Sequence, residues 1–183
     1  ERDLTFAATL DAAARLACRK AGLDVPAETR RPEPPHLAFH SEQRFVRGLF
    51  CGGTLCQEAW AILRSAGLDV RSNVAADKRF HVDASETAAG HLLWDLGDDA
   101  FTVGRPHPMI EPDLRDRYVV AAGADPSVAA VLVDCVLGYG AHPDPAGSLA
   151  RAAEEARAAA HKAKRSLVII ASVTGTARDP QGY

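Results

Sequence analysis

The stretch that most constrains the fold is 129–137, Ala-Ala-Val-Leu-Val-Asp-Cys-Val-Leu, nearly all apolar and rich in β-branched residues. A strand of this texture is covered on both faces, which points to the middle of a parallel sheet. Three more runs read as strands: Phe45, Val46, Leu49 and Phe50, then 91–96, then 166–173. Helical patterns separate them over 55–66, closed by Gly67, over 112–122, opened by Pro112, and over 145–164, rich in Ala, Glu and Arg. Strands alternating with helices of ten to twenty residues predict right-handed βαβ crossovers and an α/β fold with helices on both faces of a mainly parallel sheet. The polar segment 71–89 carries few signals. The last strand is followed by Thr174-Gly175-Thr176 rather than a helix, so the sheet is expected to continue past the carboxyl end.

Ahead of this pattern, 4–21 is Ala-rich with apolar residues at helical spacing and ends at Gly22. The charged stretch 26–35 holds four prolines, which no helix interior or central strand tolerates. The expected organisation is therefore a helical arm and Pro-rich linker over 1–43 and one α/β domain over 44–183.

Composition narrows the function. With 47% hydrophobic and 25% charged residues the chain is an ordinary globular sequence. Its net charge of -3 gives no basic field for a nucleic-acid backbone, and no apolar run reaches the roughly 18 residues that cross a bilayer. Four cysteines at irregular spacing fit neither a disulfide framework nor a zinc site. Cys51 and Cys135 sit in apolar runs and read as small core residues, which suits a reducing cytoplasm. No metal site is expected.

In an open α/β sheet, ligands bind where the strands end. The 91–96 strand opens into Gly97-Asp98-Asp99-Ala100-Phe101-Thr102-Val103-Gly104-Arg105-Pro106-His107-Pro108-Met109, so Asp95, Asp98, Asp99, Arg105 and His107 gather near one strand end. The first strand ends in Gly52-Gly53-Thr54, ahead of a helix whose unpaired first-turn amides and positive dipole end suit an anion; Thr54 is placed to cap that helix. The apolar 129–137 run ends in Gly138-Tyr139-Gly140-Ala141-His142-Pro143-Asp144-Pro145, with Asp144 reading as an N-cap and Pro145 as the first helical residue. Thr174, Gly175 and Thr176 make the fourth end. Each motif alone reads equally as a turn. Together, along one edge of a parallel sheet, they predict a single crevice.

These motifs, with Val46-Arg47-Gly48-Leu49-Phe50-Cys51-Gly52-Gly53-Thr54-Leu55-Cys56 in front, resemble the FdrA family, a branch of the succinyl-CoA synthetase superfamily. The resemblance spans residues 44–181 and implies a flavodoxin-like CoA-ligase domain, a three-layer sandwich that carries half an active site without the ATP-grasp fold. It implies that Gly52, Gly53 and Thr54 meet phosphate, and that Gly138, Tyr139 and Gly140 contact a carboxylate substrate, with His142, Thr174, Gly175 and Thr176 beside them. No Gly-His-Ala-Gly-like loop is present, so a phosphohistidine role is not carried to His107.

The expected function is an acyl-CoA-synthetase-like domain that binds an acyl phosphate or carboxylate. In it Arg105 neutralises the anion, His107 acts as acid or base, and Asp95, Asp98 and Asp99 orient them. CoA, phosphate and Mg²⁺ brought with a nucleotide are the implied cofactors, and a companion CoA-binding domain or subunit, hence an oligomeric assembly, the implied partner. One alternative is a carbamoyltransferase component acting on oxamate and carbamoyl phosphate in allantoin breakdown. Another is a non-catalytic subunit that binds CoA or a metabolite.

Overall fold

The computed structural model describes residues 4–25, 27, 37–85 and 89–183. The chain divides into two compact units, 1–36 and 37–183. In the first, α1 (Leu10–Lys20) is capped by the Thr9 hydroxyl, which accepts from the Ala12 amide at 3.1 Å. The helix starts later than 4–21 predicts, and none of its residues is buried. The proline-rich linker expected over 26–35 lies, Ala27 apart, outside the described residues.

The second unit begins before the expected boundary at residue 44. Gln43, 5% exposed, donates its side-chain amide to the carbonyls of Val128 and Ser166 at 3.0 and 2.6 Å, which ties 37–43 to the sheet. The unit runs β1 (Phe45–Phe50), α2 (Gly53–Ser65), β2 (Val70–Ser72), β3 (His91–Asp95), α3 (Asp99–Thr102), α4 (Asp113–Ala124), β4 (Val128–Val136), α5 (Pro145–Lys162) and β5 (Val168–Thr174). All five strands are parallel, in the order β2-β3-β1-β4-β5. The α/β three-layer architecture is the one the sequence predicts. The order exchanges the places of β1 and β3 relative to the flavodoxin arrangement and leaves the layers the same.

Two cores lie on opposite faces of the sheet. On one, Phe50, Val70 and Leu93 pack with Cys56, Leu55, Ala59, Trp60 and Leu63 of α2. On the other, Leu49, Val131, Val133 and Cys135 pack with Val119 and Ala122 of α4 and Leu149, Ala152 and Ala156 of α5. Here Gly123 lets α4 approach α5 closely; a Cβ on it would meet the Ala156 backbone, with Cα at 2.5 Å.

The connection leaving β1 therefore passes over one face, while those leaving β3 and β4 pass over the other. Since β1 lies between β3 and β4, its carboxyl end is a point where neighbouring chains diverge, the place at which such sheets form a crevice. The side chains of β5 are largely exposed after Ile169, with Ile170 at 55% and Val173 at 63%. Among the described residues no helix is long and apolar enough to cross a membrane.

Candidate functional site

Four segments meet where β1 ends. A Cβ placed on Gly97 would collide with His107 Nε2, lie 3.0 Å from its Cε1, and come within 2.6 Å of the Cys51 carbonyl. The His107 ring thus lies against Gly97 beside the end of β1. Met109 extends over Gly52, 3.4 Å from a Cβ placed there, and the Met109 carbonyl accepts from the His142 amide at 2.7 Å, which ties the β3 loop to the β4 loop. Asp95 faces the start of α2: its Oδ2 lies 2.9 Å from a Cβ placed on Gly53, while its Oδ1 accepts the Gly97 amide at 2.9 Å. Asn73 clamps the Asp95 backbone in both directions, at 2.9 and 3.0 Å.

Helix α2 enters this meeting point without a cap. Its N-cap is Gly52, in extended backbone, with no side-chain hydrogen bond. Thr54 is already inside the first turn, so the predicted Thr54 cap is not formed. The reason is local: glycine at the cap position leaves the first amides uncovered, and the extended Gly52 carries the chain straight from the strand into the helix. These N–H groups and the positive end of a 13-residue helix have the polarity that suits a negative group.

Both histidines are oriented by main-chain donors. His107 Nδ1 accepts from the Met109 amide at 3.2 Å and His142 Nδ1 from the Asp144 amide at 3.0 Å. A neutral ring that accepts at Nδ1 carries its proton on Nε2, so the network assigns His107 an Nε2–H directed along Gly97. Burial pushes the Asp95 carboxyl up from its ordinary value, and the Asp98 charge adds to this, against the opposing Gly97 amide and His107.

Sequence and structure part company at Arg105. Its guanidinium was expected to neutralise the anion; instead it is exposed and lines a surface pocket with Asp83, Phe101, Leu114 and Tyr118 on the α4 flank. Asp98 and Asp99 do not orient it. Asp98 caps α3 by accepting the Ala100 amide at 2.9 Å, and Asp99 lies in that first turn. This short helix turns the chain so that Phe101 packs on Trp94 and Tyr118, carrying Arg105 away from the crevice.

The later motifs divide. Gly138 is held by Gln181, which donates to the Gly138 and His142 carbonyls at 3.0 and 3.1 Å and accepts the Gly138 amide at 3.0 Å. Tyr139, 87% exposed, and Gly140 project beyond this clamp. Thr174, Gly175 and Thr176 lie one strand further out: the Thr174 carbonyl accepts the Leu137 amide at 2.9 Å, and the Thr176 amide bonds Asp179. Asp144 is the N-cap of α5, accepting from Gly147 at 2.9 Å, with Pro145 in the first turn, as predicted.

A CoA-ligase family model matches residues 49–183, from the last turns of β1 through the whole crevice. The chain belongs to the CoA-ligase family. It is also 44% identical over 139 residues to the Uncharacterized protein YahF of Escherichia coli (strain K12), covering 75% of this chain. The chain spans 27% of the length of that curated relative.

Beneath the crevice this CoA-ligase domain holds a polar network that sequence reasoning missed. Asp134, wholly buried in β4, accepts the Cys51 amide at 2.7 Å. Arg115 of α4, 2% exposed, donates to Asp116 Oδ1 at 3.0 and 2.8 Å, to the Asp134 carbonyl at 3.3 Å and to Cys51 Sγ at 3.8 Å. Asp116 in turn accepts the Ser148 hydroxyl of α5 at 2.5 Å. The signal for Asp134 was present, as one carboxylate in an apolar strand. Asn73 and Gln181 gave none. Burial pushes the Cys51 and Cys56 thiols up to about 12, so both stay protonated and act as core residues rather than nucleophiles.

Proposed function

We propose that this domain binds the phosphoryl or carboxylate end of an acyl phosphate in the crevice where β1, β3 and β4 end, as the acyl-CoA-synthetase-like half site of an FdrA-type protein. The observation that carries the reading is the uncapped first turn of α2, placed where neighbouring connections diverge, with the His107 ring lying alongside. Amides of Gly53, Thr54 and Leu55 would donate to phosphoryl oxygens. The His107 Nε2–H would donate a hydrogen bond to a bridging or acyl oxygen and stabilise the charge that develops there.

CoA fits this chain only in part. Its acyl-bearing end suits the crevice, but its phosphorylated nucleotide end needs cations. The charged groups that these contacts bring together are Asp95 and Asp134, and Arg115 beneath them is already paired with Asp116. The nucleotide end of CoA is therefore assigned to a companion domain or subunit, which makes the working enzyme an assembly. Among the described residues no group of three His, Cys, Asp or Glu could hold a metal ion; Mg²⁺ would arrive with the nucleotide, held chiefly by its phosphates and water.

The test combines binding and turnover. Acetyl phosphate is expected to bind the chain in a calorimeter, and His107→Ala to weaken it about tenfold, the loss of one charge-assisted hydrogen bond. In the assembled protein supplied with ATP, CoA and succinate, the same variant should lose roughly 10²–10³ of the rate with its melting temperature unchanged. Unchanged turnover would remove His107 from the chemistry. Activity with carbamoyl phosphate and oxamate, in place of the ligase substrates, would replace the acyl group by a carbamoyl group in the same crevice.

A further inference from the structure

The anion site has a buried carboxyl directly beneath it, and its two oxygens are treated differently. Asp134 Oδ1 accepts the Cys51 amide at 2.7 Å, one residue before the Gly52 cap of α2. Asp134 Oδ2 is buried and has no hydrogen-bond donor among the described residues. The nearby guanidinium does not serve it: Arg115 donates to Asp116, to the Asp134 carbonyl and to Cys51 Sγ. Strand pairing places Ser172, which does not titrate, opposite Asp134 on β5.

The groups facing this carboxyl come from every neighbouring element. They are the Cys51 thiol at the end of β1, the Cys56 thiol in the first turn of α2, on which Asp95 of β3 also acts, and Arg115 with its partner Asp116 on α4. Cys135 stands beside it on β4, with Asp144 acting on that thiol from the following loop, and His107 acts on Asp95. Only Arg115 among them is a permanent cation, and Asp116 already neutralises it.

We propose that Asp134 is the positioning residue of the α2 anion site, fixing the Cys51–Gly53 turn through the Cys51 amide and taking a proton from solvent onto Oδ2 when the anion binds. This rests on the reading of the α2 first turn as the anion site. The reasoning is electrostatic. A negative ligand at the first turn of α2 raises the proton affinity of every carboxyl near it. Asp134 Oδ2 is buried and receives no N–H, so a proton taken up there removes the repulsion between the carboxylate and the anion. Burial already pushes this carboxyl up from its ordinary value, the Cys51 amide and thiol and the Arg115 charge opposing. The sign follows: the folded protein holds this proton more tightly than the unfolded chain does. The associated stability is complete below the ordinary carboxylate value and is lost as pH rises through the folded one. Anion affinity should fall over the same rise.

Sulfate is a suitable probe because its own charge is constant over this range. Titrating the full chain with sulfate by calorimetry, in buffers of different ionisation heat, reads the protons taken up per anion. Wild type is expected to take up protons. Asp134→Asn, which keeps an acceptor for the Cys51 amide, should bind sulfate with the uptake abolished and a flat pH profile; Asp134→Leu, which loses the acceptor, should bind at least tenfold more weakly at every pH. Uptake that persists in Asp134→Asn, or that vanishes in Asp95→Asn instead, would overturn the proposal alone, as would full affinity in Asp134→Leu. A wild-type chain that binds no sulfate would overturn the anion-site reading itself.

Discussion

Replacing Arg115 with alanine is expected to destabilise the protein by about 3–5 kcal/mol, the range for breaking a buried ion pair by removing one partner. Its guanidinium is 2% exposed and joins four elements: α4 by its own backbone, the ends of β1 and β4 through Cys51 Sγ and the Asp134 carbonyl, and α5 through Asp116 and Ser148. Alanine leaves a cavity and an Asp116 carboxylate without its cation. For a chain of this size the melting temperature should drop by roughly 2–4 °C for each kcal/mol. Arg115→Met combined with Asp116→Leu should regain most of the loss, because a buried pair replaced as a unit leaves no stranded charge. Denaturant melts of the single and double variants measure this. A single variant within about 1 kcal/mol of wild type would show that the pair is not coupled to the core.

Gly97→Val is the variant expected to damage the site most. A Cβ at this position is driven into the His107 ring and to 2.6 Å from the Cys51 carbonyl. The carbonyl cannot give way, since Asp134 fixes the Cys51 amide and the next residue begins the entry to α2. The predicted result is a loss of about 1–3 kcal/mol from overpacking together with at least a tenfold loss of acetyl phosphate affinity. Gly67→Ala is the control. Gly67 follows α2 at φ +85 with nothing within 4 Å of an added Cβ, so this change costs about 1–2 kcal/mol of backbone strain and leaves acetyl phosphate binding intact. Equal losses of binding in both variants would mean that Gly97 acts only through stability.

The layers of this fold were legible because each depends on local pattern. The apolar texture of β4 announces burial on both faces, and Asp144-Pro145 announces the start of α5 whatever packs around it. β2 was not legible. It is three residues long, its middle residue is Arg71, and pairing with β3 alone makes it a strand. The meeting of separate strand ends was legible in part: His107 lies against Gly97 beside the end of β1, and Met109, over Gly52, bonds the His142 amide, as parallel topology requires. Arg105 was misplaced because its direction is set by a one-turn helix capped by Asp98, and by Phe101 packing between Trp94 and Tyr118. Arg115 was hidden for the opposite reason: it follows helical periodicity as a polar residue, and only tertiary packing buries it.

The central claim is that the first turn of α2, beside His107 and Asp95, is where this CoA-ligase domain receives its anion. Amide chemical shifts recorded during a titration with inorganic phosphate test it most directly. The account predicts saturable shifts at Gly53, Thr54, Leu55 and Gly97, with none at Phe101 or Tyr118 beside Arg105. Shifts confined to the Arg105 pocket, with the α2 amides unmoved, would contradict it.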